Sequence, residues 1–291
     1  MKLGLIYPQN ALGGDPGAVR AIGLAAEEMG YDHFVAYDHV LGAVHEGRTR
    51  KLWGPYTEDD PFHDPFVMFG YLAGITRRIE LVTGVLILPQ RQTALVARQA
   101  ADVDLLSGGR LRLGVGIGWN HVEYDALGQD YTKRGRRVGE QVELLRRLWS
   151  EPVVDFSGEF DRIDRAGILP RPHRQIPIWM GGFKDVALER ASRIADGFIF
   201  AHGAADAFEQ LATMDRFLAD QGRDPASFGK QCNMLGPKTA QDVIDTAQRW
   251  RDAGGSHAAV NSMGLGFETC DDHIGYFAEV AERAAKADLL S

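Results

Sequence analysis

The stretch Ile79–Gly118, IELVTGVLILPQRQTALVARQAADVDLLSGGRLRLGVGIG, decides the fold. Ile79 to Leu88 is an almost unbroken apolar run, the composition of a strand buried on both faces of a parallel sheet. Thr93 to Leu106 carries apolar residues at helical spacing and stops at Ser107-Gly108-Gly109. Leu111 to Ile117 is a second apolar strand with glycines inside it. Strand, helix and strand in about 40 residues make a βαβ unit.

The same alternation runs outward in both directions. Upstream, strands are predicted at Leu3–Tyr7 and His33–Tyr37. Helices are predicted from Pro16 to Met29, with Pro at the start and Gly30 just past the end, and from Asp64-Pro65 to Arg77. Downstream, helices are predicted at Arg134–Trp149, Asp185–Ala195, Asp206–Gln221, Thr239–Ala253 and Cys270–Ala287. They alternate with strands at Ile176–Met180, Gly197–Ala201, Lys230–Met234 and His257–Ser262. About eight strands, each followed by a helix, predict an α/β chain closed as a (β/α)8 TIM barrel, a single domain over residues 1–291, rather than an open doubly wound sheet.

Two segments break the rhythm. About 24 residues separate His39 from Asp64, and they include Val44, His45, Trp53, Tyr56, Phe62 and His63. A loop this long and aromatic on the catalytic side of a barrel reads as a lid or a substrate wall. The segment Glu151–Gln175 leads into a strand from its N-terminal side, so it is expected on the opposite, structural side. That makes Arg171, His173 and Arg174 weak ligand candidates.

Composition excludes several classes. The formal net charge of -8 disfavours broad nucleic-acid binding. The basic run RRVGEQVELLRRLW is the charged face of an amphipathic helix. Cys232 and Cys270 form neither a disulfide framework nor a metal-ligand pattern, and they read as free thiols of a reducing compartment. No apolar stretch reaches membrane-spanning length, and the apolar run after Met1-Lys2 is too short for a signal-peptide core. The expectation is a cytoplasmic protein with no membrane or nucleic-acid partner. The histidines are scattered, so no metal site is expected, and no nucleophile-elbow motif is present.

In barrels, function gathers where strands end. The second strand ends in Tyr37-Asp38-His39, which offers a group that titrates near neutral pH with an acid to orient it; a loop-holding histidine with Asp38 as a cap is the plainer account. The third ends in Leu88-Pro89-Gln90-Arg91 after Thr83-Gly84-Val85, where a glycine inside an apolar strand signals a bulge. Arg91 suits an anion or a structural ion pair equally. The fourth ends in Gly114-Val115-Gly116-Ile117-Gly118-Trp119-Asn120. Its glycines admit a planar ring or a sugar chain, or reflect barrel geometry alone. Asn120 and Glu123 then sit where a polar ligand could bind. The fifth ends in Met180-Gly181-Gly182-Phe183-Lys184 directly before a helix, a ready anion site or an ordinary turn. His202, Asn261 and Ser262 complete the polar rim.

These residues carry a resemblance. The chain resembles the luciferase-like monooxygenase superfamily, in particular its coenzyme F420-dependent oxidoreductases. The carrying segments are DHVLG at 38–42, the run 60–128, IPIWMGG at 176–182 and ADGF at 195–198. The resemblance covers nearly the whole chain, least distinctively in the last quarter. It implies a (β/α)8 barrel, usually dimeric, with the cofactor ring over the barrel mouth. It implies that His39 moves a proton near the reactive carbon with Asp38 beside it, and a cis peptide near Gly84-Val85. It further implies that Thr83, Gly84, Val85, Gly116, Ile117, Gly118 and Asn120 line the cofactor, with Gly181, Gly182 and Lys184 on its phosphate side. One departure stands out: the sugar-phosphate dehydrogenase branch carries an acidic glutamate where this chain has Trp119. With Trp53, Tyr56 and His202, Trp119 is expected to wall a pocket for a flatter, more apolar substrate than glucose 6-phosphate.

The expected activity is F420-dependent hydride transfer to or from a small organic substrate, by a homodimer. The rivals are an FMN-dependent monooxygenase using reduced flavin and O2, and a flavin- or deazaflavin-binding protein without turnover.

Overall fold

The computed structural model describes residues 1–290. Eleven strands and nine α-helices are found among them. The strands are β1 (Lys2–Ile6), β2 (His33–Ala36), β3 (Glu80–Thr83), β4 (Leu86–Ile87), β5 (Leu111–Gly116), β6 (Val154–Ser157), β7 (Arg162–Ala166), β8 (Ile178–Gly181), β9 (Gly197–His202), β10 (Gly229–Met234) and β11 (His257–Val260). The helices are α1 (Pro16–Glu28), α2 (Pro65–Ile75), α3 (Thr93–Ser107), α4 (His121–Ala126), α5 (Arg134–Ser150), α6 (Asp185–Ile194), α7 (Ala207–Asp220), α8 (Ala240–Asp252) and α9 (Cys270–Lys286).

The sheet runs β3-β2-β1-β11-β10-β9-β8-β5, and β5 pairs back with β3 to close it. All these pairings are parallel. β3 and β4 are one barrel strand broken at Gly84-Val85, whose peptide bond is cis. The result is the eight-stranded (β/α)8 barrel that the alternation predicts. Caps mark the helix starts. Asp64 accepts from the Phe66 and Val67 amides at α2, and Thr239 and Thr269 form capping boxes with Asp242 and Asp272.

The inward-facing residues form layers. Near the strand starts, Arg112 is 2% exposed. It pairs with Glu80 at 2.8 Å, donates to Gln231 Oε1 at 2.8 Å and lies 4.1 Å from the Trp179 ring centre. A Cβ at Gly197 or Gly229 would collide with Trp179, so those glycines leave the space that the indole fills. Above this polar plug sit Ile6, Val35, Val82, Ile199 and Ala259. Above them, half-buried, are Tyr37, Val85, Leu235 and Met263. A separate, larger core lies between the strands and the helices.

The segment Glu151–Gln175 departs from its expected place. Its base does lie by the strand starts, where Arg174 donates to Asp104 Oδ1 and the Leu111 carbonyl. But β6 and β7 form an antiparallel hairpin whose turn reaches the first residue of α3: Thr93 Oγ1 donates to Asp161 Oδ2 at 2.8 Å. Glu140 accepts from the Glu159, Phe160 and Asp161 amides and fixes the turn.

The plug carries a pH signature. His33 and His257 stand 5.7 Å apart beside Arg112. Burial, with Arg112 adding to it, pushes the His33 imidazole well below its ordinary range and that of His257 to about 2. Both are therefore neutral when folded and titrate near 6.5 when unfolded. Below that pH the unfolded chain binds more protons, so stability is intact above about 6.5 and falls as the pH drops below it. Each histidine contributes a slope of about 1.4 kcal/mol per pH unit. Urea midpoints from pH 7 to pH 5 should fall, and His257→Phe should flatten the fall. An equal slope in that variant would contradict the assignment.

Candidate active site

The site forms where β2, β4 and β5 end, under the loop between β2 and α2. His39 lies just past β2, with its side chain 9% exposed. Three aromatic rings surround it: Phe62 at 4.8 Å, Tyr56 at 5.3 Å and Trp119 at 5.5 Å between centres. Burial, aided by Asp60, pushes the Tyr56 phenol up to about 12, so its hydroxyl stays neutral. His45 meets Trp119 edge-on at 5.9 Å and Trp53 meets it at a tilt at 6.0 Å. A Cβ at Gly54 would collide with the Trp119 ring. Thus the long aromatic loop folds back as a cover, and Trp119 is the surface it closes on.

His39 is oriented by a different acid from the expected one. Its Nδ1 lies 3.2 and 3.3 Å from the two carboxylate oxygens of Glu123. Asp38 instead turns to Arg91: the Nη2–Oδ1 separation is 2.6 Å, and Asp38 Oδ2 accepts from the Ile87 amide at 2.9 Å. Burial lifts the Asp38 carboxyl, against the opposing pull of Arg91 and the Ile87 N–H. Burial alone would lower the Arg91 guanidinium, but Asp38 and Asp64 together hold it above its ordinary value. Asp38 is therefore a structural partner, and Arg91 is a structural ion pair rather than a free anion ligand.

The other candidates divide. Thr83 donates its hydroxyl to the Gly114 carbonyl at 2.7 Å, next to the Gly84-Val85 bulge. Val85 from that bulge occupies the space that a Cβ at Gly116 or Gly181 would need, and Ile87 does the same at Gly118. The glycines at the strand ends are accordingly explained by the bulge packing. The Ile117 carbonyl accepts from Tyr124 Oη. Asn120 caps α4 through the Val122 amide and donates to the Leu41 carbonyl at 3.2 Å, tying the cover down. Gly182 packs against Ala187, and Lys184 is exposed at the start of α6. His202 does not join the Trp53–Tyr56–Trp119 wall. It meets Phe208 edge-on at 5.7 Å and lines an open cleft of about 570 Å³ with Gly203, Asp206 and Arg249.

The mouth fits a planar, partly polar ring. Its floor is the half-buried layer Tyr37, Val85, Leu235 and Met263. Gln9 and Gln90, past β1 and β4, are buried and carry amide atoms with no protein partner among the described residues. Buried amides without partners are what a ring edge with donors and acceptors would satisfy.

With this geometry in view, the comparisons with known proteins are informative. The luciferase-like monooxygenase family model matches residues 3–291. The chain belongs to that family. An uncharacterized protein of Mycobacterium tuberculosis is 34% identical over 209 residues, 70% of this chain and 72% of that one. An F420-dependent glucose-6-phosphate dehydrogenase of Nakamurella multipartita is 32% identical over 193 residues, 65% of this chain and 53% of that one. The pyrimidine monooxygenase RutA of Rhizobium rhizogenes is 30% identical over 223 residues, 72% of this chain and 57% of that one. Among solved structures, an F420-dependent secondary alcohol dehydrogenase bound to an F420-acetone adduct superposes with a TM-score of 0.77. It is 18% identical and covers 96% of this chain and 97% of that one, which shows the shared fold.

The cover can be tested without a ligand. A valine at Gly54 must push Trp119 away, an overpacking that costs about 1–3 kcal/mol. Trypsin should then cleave after the exposed Arg50 and Lys51 about tenfold faster in Gly54→Val, since about 1.4 kcal/mol is a factor of ten. The barrel's melting temperature should change little. Cleavage at the native rate would mean that the loop does not lean on Trp119.

Proposed function

We propose that this protein is a coenzyme F420-dependent oxidoreductase acting on a small organic substrate. The observation that carries the reading is His39: a titratable ring at the barrel mouth, walled by Tyr56, Phe62 and Trp119, whose Nε2 has no hydrogen-bond partner among the described residues. When bound, the deazaflavin supplies hydride chemistry, and the protein supplies orientation and a proton. Tyr37, Val85, Leu235 and Met263 form the floor for the ring, and Gly181, Gly182 and Lys184 are the phosphate-side candidates. The F420-dependent dehydrogenase relative supports the cofactor assignment.

The family description and the RutA relative favour a second reading, an FMN-dependent monooxygenase that consumes oxygen. Trp119 sets the substrate class in either case. The Trp119 indole beside His39 offers an apolar face and, unlike a glutamate at that position, no acid of its own. The expected substrate is planar and weakly polar, and turnover of glucose 6-phosphate should be negligible. The chain is further proposed to pair as a homodimer: Val67 and Tyr71 on α2 and Leu95 on the adjoining α3 are exposed apolar residues on neighbouring helices.

Titration with coenzyme F420 and, separately, FMN, followed by fluorescence quenching, distinguishes the two cofactors. Micromolar or tighter binding of F420 with weak FMN binding is expected; the reverse moves the protein to the oxygen-using class. His39→Ala should cut turnover by roughly 10²- to 10⁴-fold while F420 affinity changes little. Native turnover in that variant would remove His39 from the chemistry.

A further inference from the structure

Glu123 joins three donors from the segment that follows β2. It is 1% exposed and lies in α4, 84 residues from His39 in sequence. Its Oε1 accepts from the Val40 amide at 2.6 Å and the Leu41 amide at 3.1 Å. The remaining lone pairs of the same carboxylate face His39 Nδ1. One buried acid therefore holds the first two peptide N–H groups of the cover and the ring they follow.

We propose that Glu123 is the positioning residue that fixes the tautomer of His39, and with it the nitrogen through which His39 passes a proton. The inference rests on the reading that His39 exchanges a proton with substrate. An ionised carboxylate accepts hydrogen bonds and donates none. Two backbone donors already converge on Oε1, so Nδ1 is the third donor and bears the hydrogen. The neutral ring then presents Nε2 as a bare lone pair towards the mouth. In one sense of the reaction that lone pair takes a proton from the substrate and leaves the imidazolium. In the other sense the imidazolium returns the Nε2 proton. Among the described residues nothing else competes for Nδ1: Asp38 is committed to Arg91 and the Ile87 amide, and Phe62, Tyr56 and Trp119 meet the ring edge-on or tilted.

Glu123→Gln tests this directly. The glutamine carbonyl keeps an acceptor for the Val40 and Leu41 amides, which turns its NH2 towards His39 Nδ1. The amide now donates, so Nδ1 becomes the acceptor and the hydrogen moves to Nε2. Long-range ¹H–¹⁵N spectra of the histidine-labelled protein, without any cofactor, report the tautomer, with His39→Gln assigning the signal among nine histidines. The expected result is Nδ1–H in the native protein and Nε2–H in Glu123→Gln. Native Nε2–H, or a tautomer that does not change in the variant, overturns the proposal. If the variant does not fold, the native tautomer alone decides.

The kinetic counterpart is a split. Both directions pass through one transition state, so kcat should drop roughly 10²-fold in each, the range lost when a general base is disabled. KM for substrate should stay within about threefold of native, because the cover remains tethered. A native kcat, or a loss confined to KM, would overturn the positioning role. The spectra use the protein alone, so a correct tautomer without F420 turnover would fault the cofactor assignment and not Glu123.

Discussion

One guanidinium holds both ends of the longest loop in this protein. Arg91 leaves the top of the broken strand β3–β4 and meets Asp38, the residue before His39, at 2.6 Å. Its other nitrogen meets Asp64, the N-cap of α2, at 3.3 Å. Between those two acids lies the entire cover. The Arg91 carbonyl is itself gripped by Gln141 and Arg137 of α5. A loop of that length is entropically costly to order, but fixing its ends against a rigid neighbour removes much of the freedom that closure must overcome. Asp38 is 2% exposed, so the pair is desolvated, and losing either partner would strand a charge in the interior at about 3–5 kcal/mol.

Everything at the mouth follows from those anchored ends. With Asp38 drawn towards Arg91, the next residue along the chain, His39, is turned inward. Glu123 then catches the two amides beyond it, Asn120 catches the Leu41 carbonyl, and the aromatic stretch falls across Trp119. The far end of the barrel is built by a different rule. There Arg112, Glu80, Gln231 and Trp179 fill the interior, and glycines at 197 and 229 give way to the indole. Bulk and satisfied charge close the bottom. The top is left with a thin half-buried layer and amides that lack partners.

What was legible in the chain was periodic. The alternation of apolar strands and capped helices gave the barrel, and the interruption at Gly84-Val85 marked the broken strand. The hairpin β6–β7 was not legible: its strands are four and five residues, charged and mostly exposed, and its pairing depends on Glu140 and Thr93 elsewhere. The neighbours Asp38 and His39 look like a dyad in sequence, yet past the end of β2 one turns to Arg91 and the other to Glu123. The true partner of His39 is 84 residues away. Position marked Asn120 and Glu123 as notable, but only the closed barrel shows that both face the start of the cover rather than a ligand.

Under the proposed function, the anchoring also constrains how a substrate would reach His39. The ring is nearly enclosed, and the open cleft beside His202 lies past β9, on strands other than those that present His39. Access therefore requires part of the cover to lift. It cannot be the ends, which Arg91, Glu123 and Asn120 hold through buried or half-buried polar contacts. The middle is held more weakly. Trp53 is 67% exposed where it touches Trp119, and Arg50 rests on the Tyr131 ring at 4.5 Å with solvent on its other side. An aromatic pair and a cation–π contact of this kind contribute only about 0.5–1.5 kcal/mol each. A cover with fixed ends and a lightly held centre would open above the histidine proposed to move the proton without disturbing the carboxylate that orients it.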